Sequence, residues 1–344
     1  AMFERSNMKI LDAGGPAASV PEDTGNVPAS SSCSLTSSSV DDATIPGVSV
    51  GYIPATMLWN PEFNDDCELW YPWGIDVDQS GNMYVTNLAG NNIQKFNSAG
   101  QLQFEIGKEG TGENERRGAG NGEFFDPLGI TVDNSGKIYV ADTNNHRIQV
   151  FDSTGNFLYK FGSNNAQGSY YTDPGNSSGS DDCYQGGSGV AGEVNRKFCN
   201  PVGIDVDSSG KIYVPDRGDP NSGDLSEIQV FDSSGNFLSK FGSSDTDNSK
   251  DCQDNELNDP FAVGKNPATN NIFVVDFYNN CIQVYNSSGN FLFNFGSSGS
   301  GDGQFSSPED IDFDSAGNVF VVDTGNDRIQ VFDSSGNFLT KLTH

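Results

Sequence analysis

The chain has 344 residues, 41 of them Gly, and sets 47 Asp and Glu against 18 Lys and Arg for a formal charge of -29. So negative a surface repels phosphate backbones and anionic lipid heads, which excludes nucleic-acid binding and attracts cations, Ca²⁺ first. No apolar run approaches the ~20 residues of a membrane helix, and six Cys without a C-x-x-C pair, beside two His, argue for disulfides in an oxidising compartment over a zinc site.

Residues 1–46 are rich in Ser, Ala, Gly and Pro, with apolar character around Met2, Phe3, Met8, Ile10 and Leu11. Alone, such a segment does not bury enough apolar surface to offset its ordering entropy. It reads as an extended arm with two open destinations: along its own domain, or onto a sheet edge of a second copy as an added strand. The second contact is head-to-tail, need not close, and generates a filament. Residues 47–60, GVSVGYIPATMLWN, alternate as a strand does and would supply a degenerate extra unit of the repeat that follows.

From Pro72 onward the chain repeats itself. The second unit reads PLGITVDNSGKIYVADTNNHRIQVFDSTGNFLYKFG, from Pro127 to Gly162, and the others open at Pro72, Pro201, Pro260 and Pro308. Each holds four alternating runs, typified by GITVD, KIYVAD, RIQVF and FLYKF, separated by turns such as DNSG and DSTGN. Asp, Asn and Gly tolerate hairpin geometry, and Val, Ile, Phe and Tyr suit a packed pleated surface. The expectation is an all-β chain of five four-stranded blades set radially as a propeller over 47–344, each blade needing neighbours to cover its two faces. Excess length falls at 108–126, 163–200 and 243–259, all between one blade's fourth strand and the next blade's first. Those connections share one face with the loops joining second and third strands, the more probable functional face on a rigid scaffold.

From Pro72 to Leu342, including the linker GSSGSGDGQFSSP before the last unit, the pattern resembles the NHL-repeat β-propeller family. The resemblance implies propellers most often of six blades, where five complete units are readable here. Some members are lyases or hydrolases with His around the channel, and others bind RNA through a basic, aromatic face. This chain offers only His146 and His344, no G-x-S-x-G elbow, no Cys beside a His in sequence or predicted loop space, and the wrong charge for RNA. The resemblance also places a small residue of each first strand near the axis, here Asp76, Thr131, Asp205, Gly264 and Asp312. Converging carboxylates at Asp76, Asp205 and Asp312 would take a channel cation, or else water and the backbone of the neighbouring blade.

Predicted proximity pairs Cys183 with Cys199 inside one insertion, Cys252 with Cys281 on one face, and Cys33 with Cys67, which would pin the arm to the first blade. Six cysteines leave other connectivities open. Sequons stand at Asn176 and Asn286. In DTDNSKDCQDNE, Asp245, Asp247, Ser249, Asp251 and Glu256 take the liganding places of a calcium loop. Lys250, however, stands where that loop needs Gly, and a plain acidic loop is the competing reading.

The leading expectation is a non-enzymatic extracellular structural protein, an acidic propeller that self-associates through its arm, requiring no cofactor, with Ca²⁺ as an optional ligand. The second is a secreted ligand- or glycan-binding propeller using the elaborated face, with Tyr170, Tyr171 and Tyr184 lining a pocket. The third is a hydrolase or lyase.

Overall fold

The computed structural model describes residues 69, 71–107, 117–162, 198–218, 226–244 and 252–343. These form five antiparallel four-stranded blades in chain order. Blade 1 is β1 (Pro72–Val77), β2 (Met83–Asn87), β3 (Asn92–Phe96) and β4 (Leu102–Gly107). Blade 2 is β5 (Pro127–Val132), β6 (Ile138–Asp142), β7 (Arg147–Phe151) and β8 (Phe157–Phe161). Blade 3 is β9 (Asp205–Val206), β10 (Ile212–Asp216), β11 (Glu227–Phe231) and β12 (Phe237–Phe241). A short parallel pair, β13 (Ser243–Ser244) with β14 (Glu256–Leu257), leads into blade 4. Blade 4 is β15 (Pro260–Lys265), β16 (Ile272–Asp276), β17 (Cys281–Tyr285) and β18 (Phe291–Phe295). Blade 5 is β19 (Pro308–Phe313), β20 (Val319–Asp323), β21 (Arg328–Phe332) and β22 (Phe338–Thr343).

The repeat boundaries read from the sequence hold, with Pro opening the first strand of blades 1, 2, 4 and 5. In blade 3, Pro201 makes only an isolated bridge to Asp216, and the regular strand begins four residues later at Asp205. Turn chemistry explains the hairpins. In the first turn of blade 2, Asp133 Oδ1 accepts the N–H groups of Ser135 (2.8 Å) and Lys137 (2.9 Å), and Gly136 takes φ 83°, which a side chain would resist.

Alternation along the strands sends successive residues to opposite faces, and each face packs against the next blade. Tyr84 and Ile93 of blade 1 share a cluster with Ile130, Ile138 and Val140 of blade 2. Ala141 and Ile148 meet Ile204 and Val214 of blade 3, whose Ile228 and Val230 meet Val263 and Val274 of blade 4. Phe273 and Val275 in turn meet Ile311, Val319 and Val321 of blade 5. Each fully buried aliphatic or aromatic side chain contributes about 1.5–3 kcal/mol, so the junctions between blades hold most of the apolar stabilisation. Two faces stand apart. Met83, Val85 and Phe96 on the outer side of blade 1 form one cluster, and Phe320, Ile329 and Val331 on the outer side of blade 5 form another, with no shared member among the described residues.

A buried carboxylate closes each of the last four blades onto the chain entering it. The last residue of the second strand (Asp142, Asp216, Asp276 and Asp323) accepts backbone N–H groups of the incoming connector: Phe125 (2.8 Å), Asn200 (2.9 Å), Asn258 (2.9 Å) and Ser306 (2.7 Å). Its other oxygen takes the side-chain amide of Gln149, Gln229, Gln283 or Gln330. In blades 2 and 5 an arginine completes the knot. Arg147 Nε donates to Asp142 (2.6 Å) while its other nitrogens bind the carbonyls of Ala119, Gly120 and Glu123. Arg328 does the same with Asp323, Ser300, Gly301 and Gln304. In blade 4 the arginine's register position, opposite Asp276, is Cys281, and a disulfide to Cys252 ties down the connector there.

Asp323 is fully buried and Arg328 nearly so, so Asp323→Ala strands a guanidinium without a counter-charge. This variant is expected to lose about 3–5 kcal/mol in urea denaturation. Asp302→Ala, which breaks the exposed pair with Lys341, should lose less than about 1 kcal/mol.

Candidate functional site

The axis of the propeller is lined by the five first strands, which approach so closely that glycine is required. Gly129 N–H donates to Val202 O of blade 3 at 2.8 Å, and a Cβ at Gly129 would stand 2.5 Å from that oxygen. At this end Trp73, Leu128, Val202 and Phe261, the residues following each blade's first proline, gather in one apolar cluster, with Trp73 and Phe261 rings 6.0 Å apart. The fifth position of this ring is Glu309. An apolar plug therefore caps the axis on the side where the connectors enter.

Further along the axis stand the three carboxylates singled out in the sequence. Asp76 accepts the N–H of its own Val77 (2.6 Å) and, from blade 2, the N–H of Val132 (2.7 Å) and the hydroxyl of Thr131 (3.1 Å). Asp205 likewise accepts the N–H of Val206 (2.8 Å) and, from blade 4, that of Lys265 (2.9 Å). Asp312 accepts only its own Phe313 N–H (2.7 Å) among the described residues. Burial is the main cause that lifts these groups, taking Asp76 up to about 6 and Asp205 up to about 7, with the neighbouring axial carboxylates adding repulsion. Burial raises Asp312 as well. The backbone N–H groups pull Asp76 and Asp205 the other way without cancelling the burial. Asp76 and Asp205 thus act as staples between adjacent blades. No group of three or more His, Cys, Asp or Glu among the described residues has the geometry of a metal site.

The loop face carries the other candidates. His146 Nδ1 is hydrogen-bonded to the carbonyl of Cys199. This corrects the expectation that no Cys lies beside a His in loop space, because Cys199, just ahead of blade 3, stands beside the 3₁₀ turn of blade 2. Cys199 is disulfide-bonded, its partner lying outside the described residues, so the contact offers no thiolate nucleophile. Cys252 and Cys281 form a disulfide with Cα atoms 6.0 Å apart. Glu256 sits in β14, its carbonyl bound by Gln283 and its N–H by Gln253. The remaining positions of that calcium-like loop (Asp245, Asp247, Ser249 and Asp251) lie outside the described residues. So do Cys33, Cys67, Cys183, Asn176, His344, the three loop tyrosines and the five apolar arm residues. Asn286 takes the place that Asp152, Asp232 and Asp333 hold in other blades, its Oδ1 accepting Ser288 and Asn290 N–H groups.

Three buried or crowded acids escaped the sequence reading as candidates. Asp216 is pushed up to about 7 and Asp310 to about 6, both chiefly by burial, and Asp142 is raised by the same cause. The recurring Asp that ends IYVAD, IYVPD, IFVVD and VFVVD was the available signal. A carboxyl raised in the folded state binds its proton more tightly there than when unfolded. Stability therefore falls as pH rises from about 4 to about 7. The thermal midpoint is expected to be lower at about pH 8 than at about pH 5.5, and Asp205→Asn should shrink that difference by roughly 2–4 °C. An unchanged pH slope in the variant would refute the axial assignment.

Two family models match: an NHL repeat over residues 124–151 and a 6-bladed beta-propeller over residues 266–344. The Drosophila melanogaster protein brain tumor is 33% identical over 37% of this chain, and the match spans 13% of that relative's length. The Caenorhabditis elegans probable peptidyl-alpha-hydroxyglycine alpha-amidating lyase pgal-1 is 26% identical over 48% of this chain and 38% of its own. Among solved structures, a nidogen/laminin complex superposes with a TM-score of 0.54 at 13% identity, over 80% of this chain and 81% of that one, a likeness of fold. The match to the NHL repeat falls on the connector and the first three strands of blade 2, where Asp142, Arg147 and Gln149 form their knot, so blade 2 of this β-propeller is similar to an NHL repeat.

Proposed function

We propose that this propeller is a non-enzymatic extracellular structural protein that self-associates through residues 1–46. The observation that carries the reading is that the groups a propeller enzyme would aim at a substrate are already engaged by the protein itself. His146 is held by the Cys199 carbonyl, Asp76 and Asp205 staple adjacent blades, and an apolar plug caps the axis. A rigid propeller whose axial Asp76 and Asp205 are internally satisfied suits a scaffold. The Cys252–Cys281 disulfide supports an oxidising, extracellular compartment.

Charge supports the role of the arm. The whole chain carries -29, and although residues 1–46 are acidic too, with six Asp and Glu against two cations, both cations, Arg5 and Lys9, stand in the first eleven residues beside Glu4. A cationic, apolar tip is attracted to the acidic body of another copy, whereas two bodies repel each other. Salt at about 0.15 M screens that repulsion beyond about 8 Å, so assembly is expected to strengthen as ionic strength rises from very low values.

The test is light scattering and negative-stain imaging of the full chain beside a form beginning at Val48. Fibres from the full chain and folded monomers from the shorter one are the expected outcome. Identical monomers from both would overturn the reading and turn attention to glycan and ligand screens against the loop face.

A further inference from the structure

The outer half of blade 4 differs in charge from that of every other blade. Residues 277–301 hold no Asp, Glu, Lys, Arg or His, the longest such run in a chain whose net charge is -29. Three departures from the repeat produce it. Cys281 stands where blades 2, 3 and 5 have Arg147, Glu227 and Arg328, and Asn286 where they have Asp152, Asp232 and Asp333. Opposite the glutamine of the third strand, Lys160, Lys240 and Lys341 give way to Asn294. Blade 1 is charged at that place too, by Glu105.

The fourth strand is the terminal strand of each blade, so the N–H and C=O groups along its far side have no partner strand among the described residues. A charged side chain on such an edge, lysine above all, keeps it from pairing with a like edge. Blade 4 lacks that guard, and it presents Leu292, 45% exposed, within β18. The residues around this leucine, NFLFN from Asn290 to Asn294, read the same in both directions. The corresponding NFLYK, NFLSK, NFLTK and QLQFE of the other blades do not.

We infer that this edge is a contact between two copies of the chain, β18 against β18, antiparallel about a two-fold axis at Leu292. In that register Leu292 lies beside its counterpart, Phe291 of one copy beside Phe293 of the other, and Asn290 beside Asn294. Apolar groups meet apolar ones and amides meet amides. The palindrome selects a second copy as the occupant, because a two-fold interface needs a surface that is its own complement. Charge permits it: two bodies of -29 repel, and they approach at least cost where neither presents a charge. Asp254, which accepts the Asn294 amide at 3.2 Å, is the acid bonded to this edge. The two-fold sets the two Asn294 residues four positions apart along the strands, about 14 Å, beyond the ~8 Å screening length at physiological salt. Five residues a side fall short of the roughly 20–30 of a stable interface, so isolated copies stay monomeric at micromolar concentration. The contact strengthens where copies are already held close, as side by side in fibres. It uses no residue of 1–46 and is separate from the association proposed above.

Disulfide trapping on the full chain tests it. Opposed residues of an antiparallel pair have Cα atoms about 4.5–5.5 Å apart, within disulfide reach, so Leu292→Cys is expected to give covalent dimers on mild oxidation. Mass spectrometry of the peptides should show position 292 linked to position 292. Leu238→Cys, at the equivalent exposed position of blade 3, is the control and should give at least about fivefold less dimer, because Lys240 guards that edge. Asn294→Lys added to Leu292→Cys restores the lysine that three other blades carry there, which keeps the fold, and should cut the dimer yield roughly tenfold. Equal yields from the two single variants would overturn the inference. So would a yield that Asn294→Lys leaves unchanged, or links that join position 292 to native cysteines instead. If the arm does not drive assembly, fibres are absent while the 292–292 link still forms, so the two proposals fail separately.

Discussion

The carboxylate that ends the second strand of a blade is the contact on which the rest of the propeller depends. Asp142, Asp216, Asp276 and Asp323 each gather backbone N–H groups of the connector and the amide of a glutamine on the third strand. A connector carries polar backbone that a buried position cannot tolerate unpaired. The aspartate supplies acceptors at the one place where the incoming chain must pass beneath the blade's edge. It thereby fixes where the first strand begins, and with it the register of the apolar faces.

Variation at the neighbouring register position shows how one requirement is met by different chemistry. Arg147 and Arg328 offer several donors in a planar fork, enough to bind the carboxylate and three connector carbonyls at once. In blade 4, Cys281 offers no donor array, and a covalent bond to Cys252 holds the connector. In blade 3 the position is Glu227, paired with Lys240 of the fourth strand, and Asp216 is left with neutral donors and a carboxyl raised to about 7. In blade 1 the set becomes Asn87, Asn92 and Gln94, with Glu105 accepting both Asn92 and Gln94 amides. In blades 2 and 5 an arginine balances the carboxylate, in blade 1 amides replace it, and in blade 3 burial pushes it up.

The same economy shapes the axis. Strands that meet at Gly129 and Val202 leave no room for a side chain between them, and Asp76 and Asp205 bond outward to the adjacent blade. Groups spent on joining blades are not free for substrate.

Blade number, strand limits and turn types were legible in the residues, because each follows from local rules repeated five times. Pro before a strand, Asp and Gly in a turn and alternate Val, Ile and Phe on a pleat act within about ten residues of one another. Legible too was the closeness of Cys252 and Cys281, since both fall on the connector side of one blade. What the sequence did not decide is what the axial and second-strand aspartates bond to, since Asp76 meets Val132 and Asp142 meets Phe125 only after blades are assembled. Nor did it show His146 against Cys199, residues 53 apart in the chain. A carboxylate reads alike in sequence whether its partner is a cation, water or an amide. Only tertiary packing, by setting which donor is within hydrogen-bond reach and how much water is excluded, made these carboxylates staples between blades.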